Sequence, residues 1–405
     1  MSEANNIKNY IKSYKSNIIF FLLSIPSILI ILIIRPLIKI KVGKLESRKI
    51  GHFSSPIEIY LNEVKLKLIK IKKNEIHLFY CEYKISNNYL LSHWKKNLII
   101  LPRLFLEPLF FFFNSSKYFK KFTVNIIRLN FLYEPKKSIN LPYQADVNQV
   151  LSKTVSSIKF SNQEILIGNK ILDNLGLKSN QEIVCFANRD ESFFEEKFVS
   201  ERNAEISTYK NAMKYLANKN FFCIRVGRSQ LKKIDFSHKN IIDYPFSNIK
   251  SDFMDLFLFS KCIFLISTNH GINELASLFR KKRMIINLFP QNLHWLNNLT
   301  PLIILKKFKN LKNNQYISFK EVFEKKIYLI SKIDLKSYGY DLIDNSEEEI
   351  LDATKDMYEL YNNNFKIEFS EQEKFWSIYK KNFNYKPNHL MIGKTFFKKN
   401  YDLFI

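Results

Sequence analysis

Glycine is scarce in this chain, with only eight among 405 residues. No G-x-G-x-x-G and no G-x-x-x-x-G-K-[ST] pattern occurs, which disfavours a nicotinamide-type dinucleotide site and a P-loop. The four cysteines are far apart and form no C-x-x-C pair, which argues against zinc and against a disulfide framework. H-E-x-x-H is missing, and Asp252 and Asp255 are spaced as D-x-x-D rather than D-x-D. We therefore expect neither a bound metal nor a resident cofactor.

Acidic residues are also few: 38 Asp and Glu face 63 Lys and Arg, a formal net charge of +25. Much of this lysine is expected to be solvated surface. The remainder favours an anionic partner such as a nucleotide diphosphate, a lipid phosphate or membrane headgroups. No helix-turn-helix, zinc-finger or RNP pattern places the charge in a nucleic-acid groove, so nucleic acid is not the expected partner.

One long apolar run is present, from Ile18 to Ile34, interrupted only by Ser24, Pro26 and Ser27. As a helix it reaches about 25 Å against a hydrocarbon core of about 30 Å, and apolar residues up to Ile40 can extend it. Basic residues follow at once instead of a signal-peptide cleavage site. The positive-inside rule then leaves the rest of the chain in the cytoplasm. Residues 1–45 are predicted to be a membrane anchor, single-pass or monotopic.

A second apolar stretch covers residues 98–113 but is broken by Pro102, Arg103, Glu107 and Pro108. These charges and prolines argue against a second membrane span. Docking in the membrane interface and an ordinary buried helix-turn are both open for this stretch.

Short apolar segments later in the chain predict the strands of a parallel α/β sheet, because patterned helices lie between them. These segments are Ile183–Ala187, Phe221–Ile224, Cys262–Ile266 and Met284–Asn287. Ligands of such sheets bind outside the carboxyl ends of the strands. The residues found there include Arg189, Arg225 and a polar turn, Ser267-Thr268-Asn269-His270-Gly271. Guanidinium forks and helix-opening backbone N–H groups both favour oxyanions, so a diphosphate is the expected ligand.

Each of these residues also has a simpler interpretation. Arg189 can stabilise a departing diphosphate or form a surface ion pair with Asp190; the same alternatives apply to Arg225. Gly271, placed at the start of a helix, can admit a phosphate or only make a tight turn. Ser251 and Asp252 can contact the donor nucleotide or cap a helix whose first turn carries carboxylates.

The earlier part of the chain predicts another α/β unit, with a strand over Ser47–Gly51 and a helix over Pro56–Lys70. His52 and Glu58 flank the junction between them. An inverting sugar transfer needs a general base near the acceptor hydroxyl, and either side chain can serve. The alternative for Glu58 is a solvated carboxylate on a helix.

Several of these motifs, in this order, resemble bacterial glycosyltransferases of surface-polysaccharide gene clusters. They are Cys185–Asp190, Arg202-Asn203 with Tyr209, Arg225-Val-Gly227, Asp243-Tyr244, Ser251–Asp255, Ser267–Gly271, Arg48–His52 with Glu58, and Leu342–Asn345. One position departs from the family, which usually has His where this chain has Ala187.

The resemblance implies an α/β protein with two Rossmann-like lobes (GT-B-like) and metal-independent transfer of a hexose or related sugar. Its expected domains are the anchor, an acceptor lobe over 46–175, a donor lobe over 176–345, and a terminal helix and tail over 346–405 that pack across both lobes. The donor nucleotide-sugar is expected to contact Arg189, Arg225, Gly227, Asp243, Tyr244, Ser251, Asp252, Ser267, Thr268, Asn269 and Gly271. The acceptor is expected to be a lipid-linked saccharide at the cytoplasmic face. The alternatives are a catalytically inactive assembly partner with the same fold and a cationic lipid- or nucleic-acid-binding protein.

Overall fold

The computed structural model describes residues 37–126, 146–191, 200–228, 230–364, 370–383 and 389–405, with residues 25, 26, 28–30, 33 and 34 before them. The chain divides into two compact units, residues 1–128 and 129–405. Residues 146–175, which the sequence-based boundaries assign to the first lobe, therefore belong to the second unit.

The first unit contains a parallel sheet of four strands in the order β3-β2-β1-β4. The strands are β1 (Lys39–Leu45), β2 (Glu75–Cys81), β3 (Ile99–Ile100) and β4 (Thr123–Val124). Its helices are Ile50–Phe53, Ser55–Lys65, Asn88–Asn97 and Arg103–Asn114, with a 3₁₀ turn at Lys120–Phe122. The predicted α/β architecture is confirmed for this unit.

The start of this unit differs from the prediction. The expected strand over Ser47–Gly51 is wrong, because these residues form a turn and the start of a short helix, while the strand is Lys39–Leu45. Lys41 and Lys44 of that strand form ion pairs with Glu75 and Glu82 at 2.9 and 3.0 Å. Lys41 and Lys44, two of the basic residues interpreted as the flank of a membrane segment, are thus paired strand residues. Ile40 lies in the sheet instead of extending the apolar run.

The next helix ends at Lys65, five residues before the predicted end. Lys67 adopts a left-handed backbone conformation with φ of 59°, which an α-helix cannot continue through.

The second unit is built on a parallel sheet of seven strands in the order β14-β10-β9-β8-β5-β6-β7. The strands are β5 (Ile183–Ala187), β6 (Phe222–Arg225), β7 (Ile241–Asp243), β8 (Cys262–Ser267), β9 (Lys282–Leu288), β10 (Leu302–Leu305) and β14 (Met391–Ile392). The four predicted strands are confirmed. Both units follow the Rossmann strand order outward from their first strand.

A small antiparallel sheet in the order β12-β11-β13 accompanies the large one. Its strands are β11 (Lys307–Asn310), β12 (Tyr316–Ile317) and β13 (Tyr340–Ile343). The α-helices of the second unit are Val150–Lys153, Asn162–Asn174, Lys210–Asn218, Asp252–Lys261, Asn273–Leu278, Phe319–Glu324, Glu347–Tyr361, Glu373–Phe383, Lys394–Lys399 and Tyr401–Phe404. The 3₁₀ helices are Ile206–Tyr209, Tyr244–Phe246, Pro290–Trp295, Ile327–Leu329 and Ser370–Gln372.

Local signals explain where the longer helices begin and end. Ser161 with Glu164 and Ser346 with Glu349 form capping boxes at the starts of two of them. Gly176 follows the helix Asn162–Asn174 with φ of 92°, the left-handed conformation of a helix C-cap. The aromatic tail packs inward, since Phe375, Trp376 and Phe404 are buried in the same core as the large sheet. Residues after 346 therefore contribute to the second unit's core.

None of the helices that the structure describes has both the length and the apolar character needed to cross a bilayer. The apolar run Ile18–Ile34 lies for the most part outside the described residues.

Candidate functional site

The candidate site lies at the carboxyl edge of the seven-stranded sheet, where β5 and β8 are neighbours. The chain leaves β5 towards β6 and β7 on one side, then returns at β8 and builds β9 and β10 on the other. Such a reversal is a topological switch point, and open α/β sheets bind ligands in the crevice outside it. Arg189 follows β5 and the turn Ser267–Gly271 begins at the end of β8, so both predicted phosphate elements meet there.

Hydrogen bonds hold these two strand ends together. The backbone N–H of Arg189 donates to Thr268 Oγ1 at 3.0 Å. Ser267 Oγ lies 2.5 Å from Asn273 Oδ1, and Asn273 Nδ2 donates to the Thr268 carbonyl at 2.9 Å. Ser267 and Thr268 are completely buried, so their hydroxyls set the shape of the turn from inside.

The rest of the turn differs in part from expectation. Asn269 and Gly271 are half-buried, and the helix begins at Asn273, two residues after the glycine that was expected to open it. Among the described glycines, those with positive φ are Gly176, Gly227 and Gly339. The backbone conformation at Gly271 is therefore one that other residues can also adopt.

Two arginines give the site its positive charge. Arg189 is only 2% exposed, and burial, with a smaller contribution from the nearby Arg202, lowers its pKa to about 10. Burial also lowers the pKa of Arg202, which lies 3.6 Å from the Glu201 carboxylate. Like charges held in a poorly solvated place favour binding of an anion between or beside them. Arg189 and Arg202 together form a positively charged group suited to an oxyanion.

His270 lies beside these arginines as a neutral imidazole. Its Nδ1 is 2.9 Å from the Thr268 carbonyl, and since a carbonyl only accepts, Nδ1 carries the proton. Burial, with smaller contributions from Arg189 and Arg202, lowers the pKa of His270 to about 4. The counter-charge for a phosphate at neutral pH must therefore come from the arginines.

Arg225 lies inside the protein and joins three loops. It is completely buried and donates to Asn188 Oδ1 at 3.2 Å, Gln230 Oε1 at 2.9 Å, the Lys232 carbonyl at 2.7 Å and Asp243 Oδ1 at 3.3 Å. These contacts favour a structural role for its guanidinium. Its contact with a ligand stays a prediction.

The neighbours of Arg225 have structural roles of the same kind. Asp243 also accepts from the backbone N–H of Ile234 at 2.9 Å. Gly227 has φ of 146°, and a Cβ atom there would stand 2.9 Å from Gln230 Nε2. Only glycine fits this bend without strain.

The D-x-x-D pair belongs to a helix start. Ser251 caps the helix Asp252–Lys261 by accepting from Met254 N–H at 3.1 Å. Asp252 and Asp255 both accept from Arg228, and Tyr244 donates to Asp255 at 2.7 Å. The capping interpretation therefore describes Ser251 and Asp252 well. Sequence reasoning missed Arg228, although a basic residue directly after Gly227 was visible.

A second group that sequence reasoning missed is centred on Lys306. This completely buried lysine follows β10 and donates to the Asn203 carbonyl at 2.8 Å and to Asp344 Oδ1 at 2.6 Å. Burial is the main cause that lowers the pKa of Lys306 to about 8. The available signal was a basic residue directly after an apolar strand, the pattern that identified Arg189. Lys306 fixes the backbone next to Arg202.

Nearby, Asn345 closes the same edge of the sheet. It exchanges hydrogen bonds of 2.6 Å with Asn287, and its Nδ2 donates to the Leu305 carbonyl at 2.8 Å. The motif Leu342–Asn345 thus joins the end of β13 to β9 and β10.

The two candidate bases lie in the first unit. His52, in the short helix Ile50–Phe53, has Nδ1 3.5 Å from Glu46 Oε2 and is partly exposed. Glu58 is completely buried in the first turn of the next helix and accepts from Asn62 Nδ2 at 2.9 Å. The alternative of a solvated Glu58 is therefore wrong, because the surrounding helices cover its carboxylate.

Within the described part of the chain, no group of three or more His, Cys, Asp or Glu side chains is arranged to hold a metal ion.

Comparisons with known proteins give structural likenesses only. No protein-family model matches the sequence, and no curated protein matches it. The fold is similar to that of a glycosyl transferase family 9 protein from Veillonella parvula DSM 2008, at 10% identity over 62% of this chain and 80% of that chain, with a TM-score of 0.35. It is also similar to E. coli ADP-heptose LPS heptosyltransferase II, at 9% identity over 66% and 90%, with a TM-score of 0.39.

A third similar structure is a candidate UDP-N-acetylglucosamine 2-epimerase from Listeria monocytogenes, at 13% identity over 90% and 95% of the two chains, with a TM-score of 0.34. Two of these three neighbours are glycosyltransferases, the class that the sequence motifs resemble.

Proposed function

We propose that this protein is a glycosyltransferase that moves a sugar from a nucleotide-sugar donor to a saccharide acceptor in cell-surface polysaccharide synthesis. The observation that carries the proposal is the pair of arginines, Arg189 and Arg202, at the switch point of the seven-stranded sheet. Burial lowers the pKa of each. A diphosphate bound there relieves their mutual repulsion and gains two charge-assisted contacts.

The donor diphosphate is assigned to Arg189, Arg202 and the exposed parts of the turn Ser267–Gly271. Arg225, Asp243, Tyr244 and Ser251 hold the surrounding loops in place through the contacts described above. Gly227 and Asp252 were also predicted to contact the nucleotide-sugar, and they are assigned the same structural role in these loops.

The chemistry follows from where charge develops. When the bond between the anomeric carbon and the diphosphate breaks, negative charge grows on the departing phosphate oxygen. Buried guanidinium groups stabilise that charge, the contribution that a metal ion makes in other enzymes. Transfer is therefore proposed to be metal-independent, with the nucleotide-sugar as a substrate and no resident cofactor.

The acceptor is assigned to the first unit, with His52 as the general base that takes the proton of the acceptor hydroxyl. The Glu46 carboxylate beside Nδ1 orients the ring, which leaves Nε2 for the proton. Glu58 is the second candidate, disfavoured because its carboxylate is buried and hydrogen-bonded to Asn62.

A lipid-linked saccharide is the proposed acceptor, since the segment that precedes the strand Lys39–Leu45 is proposed to anchor the chain at the cytoplasmic face of the membrane. The high positive charge of the chain fits an anionic lipid carrier.

The inactive assembly partner remains the competing proposal because of Ala187. This residue is completely buried and pairs with Ser267 in the sheet. No imidazole reaches the site from position 187, and His270, at the end of the neighbouring strand, is the imidazole that this chain places there.

The test is thermal stabilisation by nucleotides, using GDP, UDP, ADP and CMP with their sugar derivatives. At least one should raise the melting temperature of wild type, and R189A should weaken its binding by about 1.5–3 kcal/mol. K325A is the matched control, since it removes an exposed charge of the same sign. Absence of any shift would favour the assembly partner, and salt-sensitive binding to polyanions without a nucleotide shift would favour the cationic binder.

A further inference from the structure

The helix Arg103–Asn114 is apolar on the side that faces the protein and also on the side that faces outward. Leu106, Leu109 and Phe113 are buried against Val42 and Tyr80 of the sheet. On the outer side, Leu104 is 70% exposed and Phe105 is 60% exposed. A surface helix normally presents polar residues to water, and a helix that is apolar all round is covered by protein or by lipid.

Apolar exposure continues on both sides of this helix. Ile99 and Leu101 are exposed before it, and Tyr118 and Phe119 are exposed after it. Contiguous exposed apolar patches on a globular unit mark interaction surfaces.

The charge around these residues identifies the partner. Between residues 95 and 121 there are six basic residues and one acidic residue. That acidic residue, Glu107, is already paired with Arg103 at 2.6 Å. The exposed basic residues flank the apolar helix and are Lys95, Lys96, Lys117, Lys120 and Lys121. Aromatic and aliphatic side chains bordered by lysines are the composition of elements that lie in the interface of an anionic bilayer.

The predicted membrane segment meets the same surface. Ile28 packs against the cluster that contains Leu106 and Leu109. Other described residues of that segment, Leu29 and Ile33, expose their side chains. Apolar groups from the two segments are therefore presented side by side on the first unit.

We propose that the helix Arg103–Asn114 and the basic turn Lys117–Lys121 form a docking surface for an anionic lipid bilayer. The helix enters the boundary between headgroups and acyl chains, and the lysines contact lipid phosphates. The first unit is then held flat on the membrane beside its N-terminal segment. This inference does not depend on the nucleotide site.

The first test uses the full-length chain and vesicles of phosphatidylglycerol and phosphatidylcholine with brominated acyl chains, which quench nearby tryptophan. F105W reports from the docking surface. The matched control is L166W, from a residue 69% exposed on the helix Asn162–Asn174 of the second unit. Both variants also contain the three native tryptophans, Trp94, Trp295 and Trp376, which contribute a common background. Quenching of F105W well above that of L166W is expected, and equal quenching overturns the proposal.

The second test neutralises Lys117, Lys120 and Lys121 together by substitution with Gln. Partitioning into the anionic vesicles should weaken on the order of 100-fold, since each lysine near an anionic surface contributes about fivefold. A control triple, Lys178, Lys312 and Lys320 to Gln, removes the same charge from exposed positions of the second unit. Equal weakening by the two triples contradicts the proposal.

A second copy of the chain is the competing partner for this surface. If L104E/F105E converts a lipid-free dimer to a monomer while vesicle binding stays unchanged, a second copy of the chain covers the helix and the bilayer assignment is wrong. Nucleotide-induced melting shifts should be the same in L104E/F105E and wild type, so failure of this proposal is separable from failure of the glycosyltransferase proposal.

Discussion

Replacing Arg189 with Met should make the ligand-free protein more stable and its donor binding weaker. Burial is the main cause that lowers the pKa of Arg189 to about 10, well below the usual value for arginine. One pKa unit corresponds to about 1.4 kcal/mol, so the charged side chain costs the folded state about 3 kcal/mol. Methionine keeps the aliphatic bulk without the charge. R189M should therefore gain up to about 3 kcal/mol of unfolding free energy, reduced by whatever hydrogen bonds it loses.

The pH range of this effect follows from the direction of the shift. The unfolded chain binds the Arg189 proton more tightly than the folded chain does. The cost is present at every pH below about 10 and fades only as the pH rises above that value. The gain of R189M should be the same at pH 6 and pH 8.

Urea unfolding without ligand measures the stability change, and melting shifts over a nucleotide series measure affinity. Affinity should fall by about 1.5–3 kcal/mol, roughly 10- to 150-fold. R189K serves as the control because it keeps the charge, so its ligand-free stability should stay near that of wild type. An R189M protein that is less stable without ligand and binds nucleotide as well as wild type would refute both the charge argument and the position of the diphosphate.

Three further results are expected. Because burial lowers the pKa of Lys306 from 10.5 to about 8, the stability of wild type relative to K306M should rise by about 3 kcal/mol between pH 8 and 10.5. D344N removes the negative charge that is paired with the buried ammonium and should lose about 2 kcal/mol of stability, a loss kept small because Asp344 is 35% exposed. Urea titrations at several pH values check both. The pKa of His270 is lowered from 6.5 to about 4, so the unfolding free energy of wild type should fall by up to about 3 kcal/mol as the pH falls from 6.5 to 4. An H270N protein that loses the same unfolding free energy over this pH range would contradict this. Sugar transfer should continue in excess chelator. H52A should reduce turnover about 10²- to 10⁴-fold with nearly unchanged donor affinity. A wild-type rate in H52A would move the role of general base to Glu58, and wild-type rates in both the His52 and the Glu58 variants would mean that neither residue is the base.

Four strands of the second unit, β5, β6, β8 and β9, could be predicted from sequence because each is a short apolar run that ends abruptly in polar residues. The helix start at Ser346 was equally local, since its capping box with Glu349 lies within four residues. The first strand was missed because Lys39, Lys41 and Lys44 resemble a membrane flank. The partners of Lys41 and Lys44, which are Glu75 and Glu82, are distant in sequence.

The site could be predicted only in part, because its side-chain contacts also join residues that are distant in sequence. The sequence indicates which residues follow a strand but not whether a side chain points outward or inward. Arg189 and Arg225 have the same local pattern, yet Arg225 is held by four internal acceptors. Lys306 and Asp344 are 38 positions apart and become a pair only when β10 and β13 are brought close together.

The seven-stranded sheet has an order of assembly that its last strand imposes during synthesis. Met391 pairs with Leu302 at the outer edge of β10, so this edge waits for about 90 residues that are translated later. At 5–20 residues per second the delay is about 5–20 s. Leu302, Ile303, Ile304 and Leu305 are all completely buried in the finished protein, and an apolar strand with an open edge is a template for pairing with other chains. On the ribosome, the newly made second unit therefore passes through an interval in which the outer edge of β10 is open to pairing with other chains.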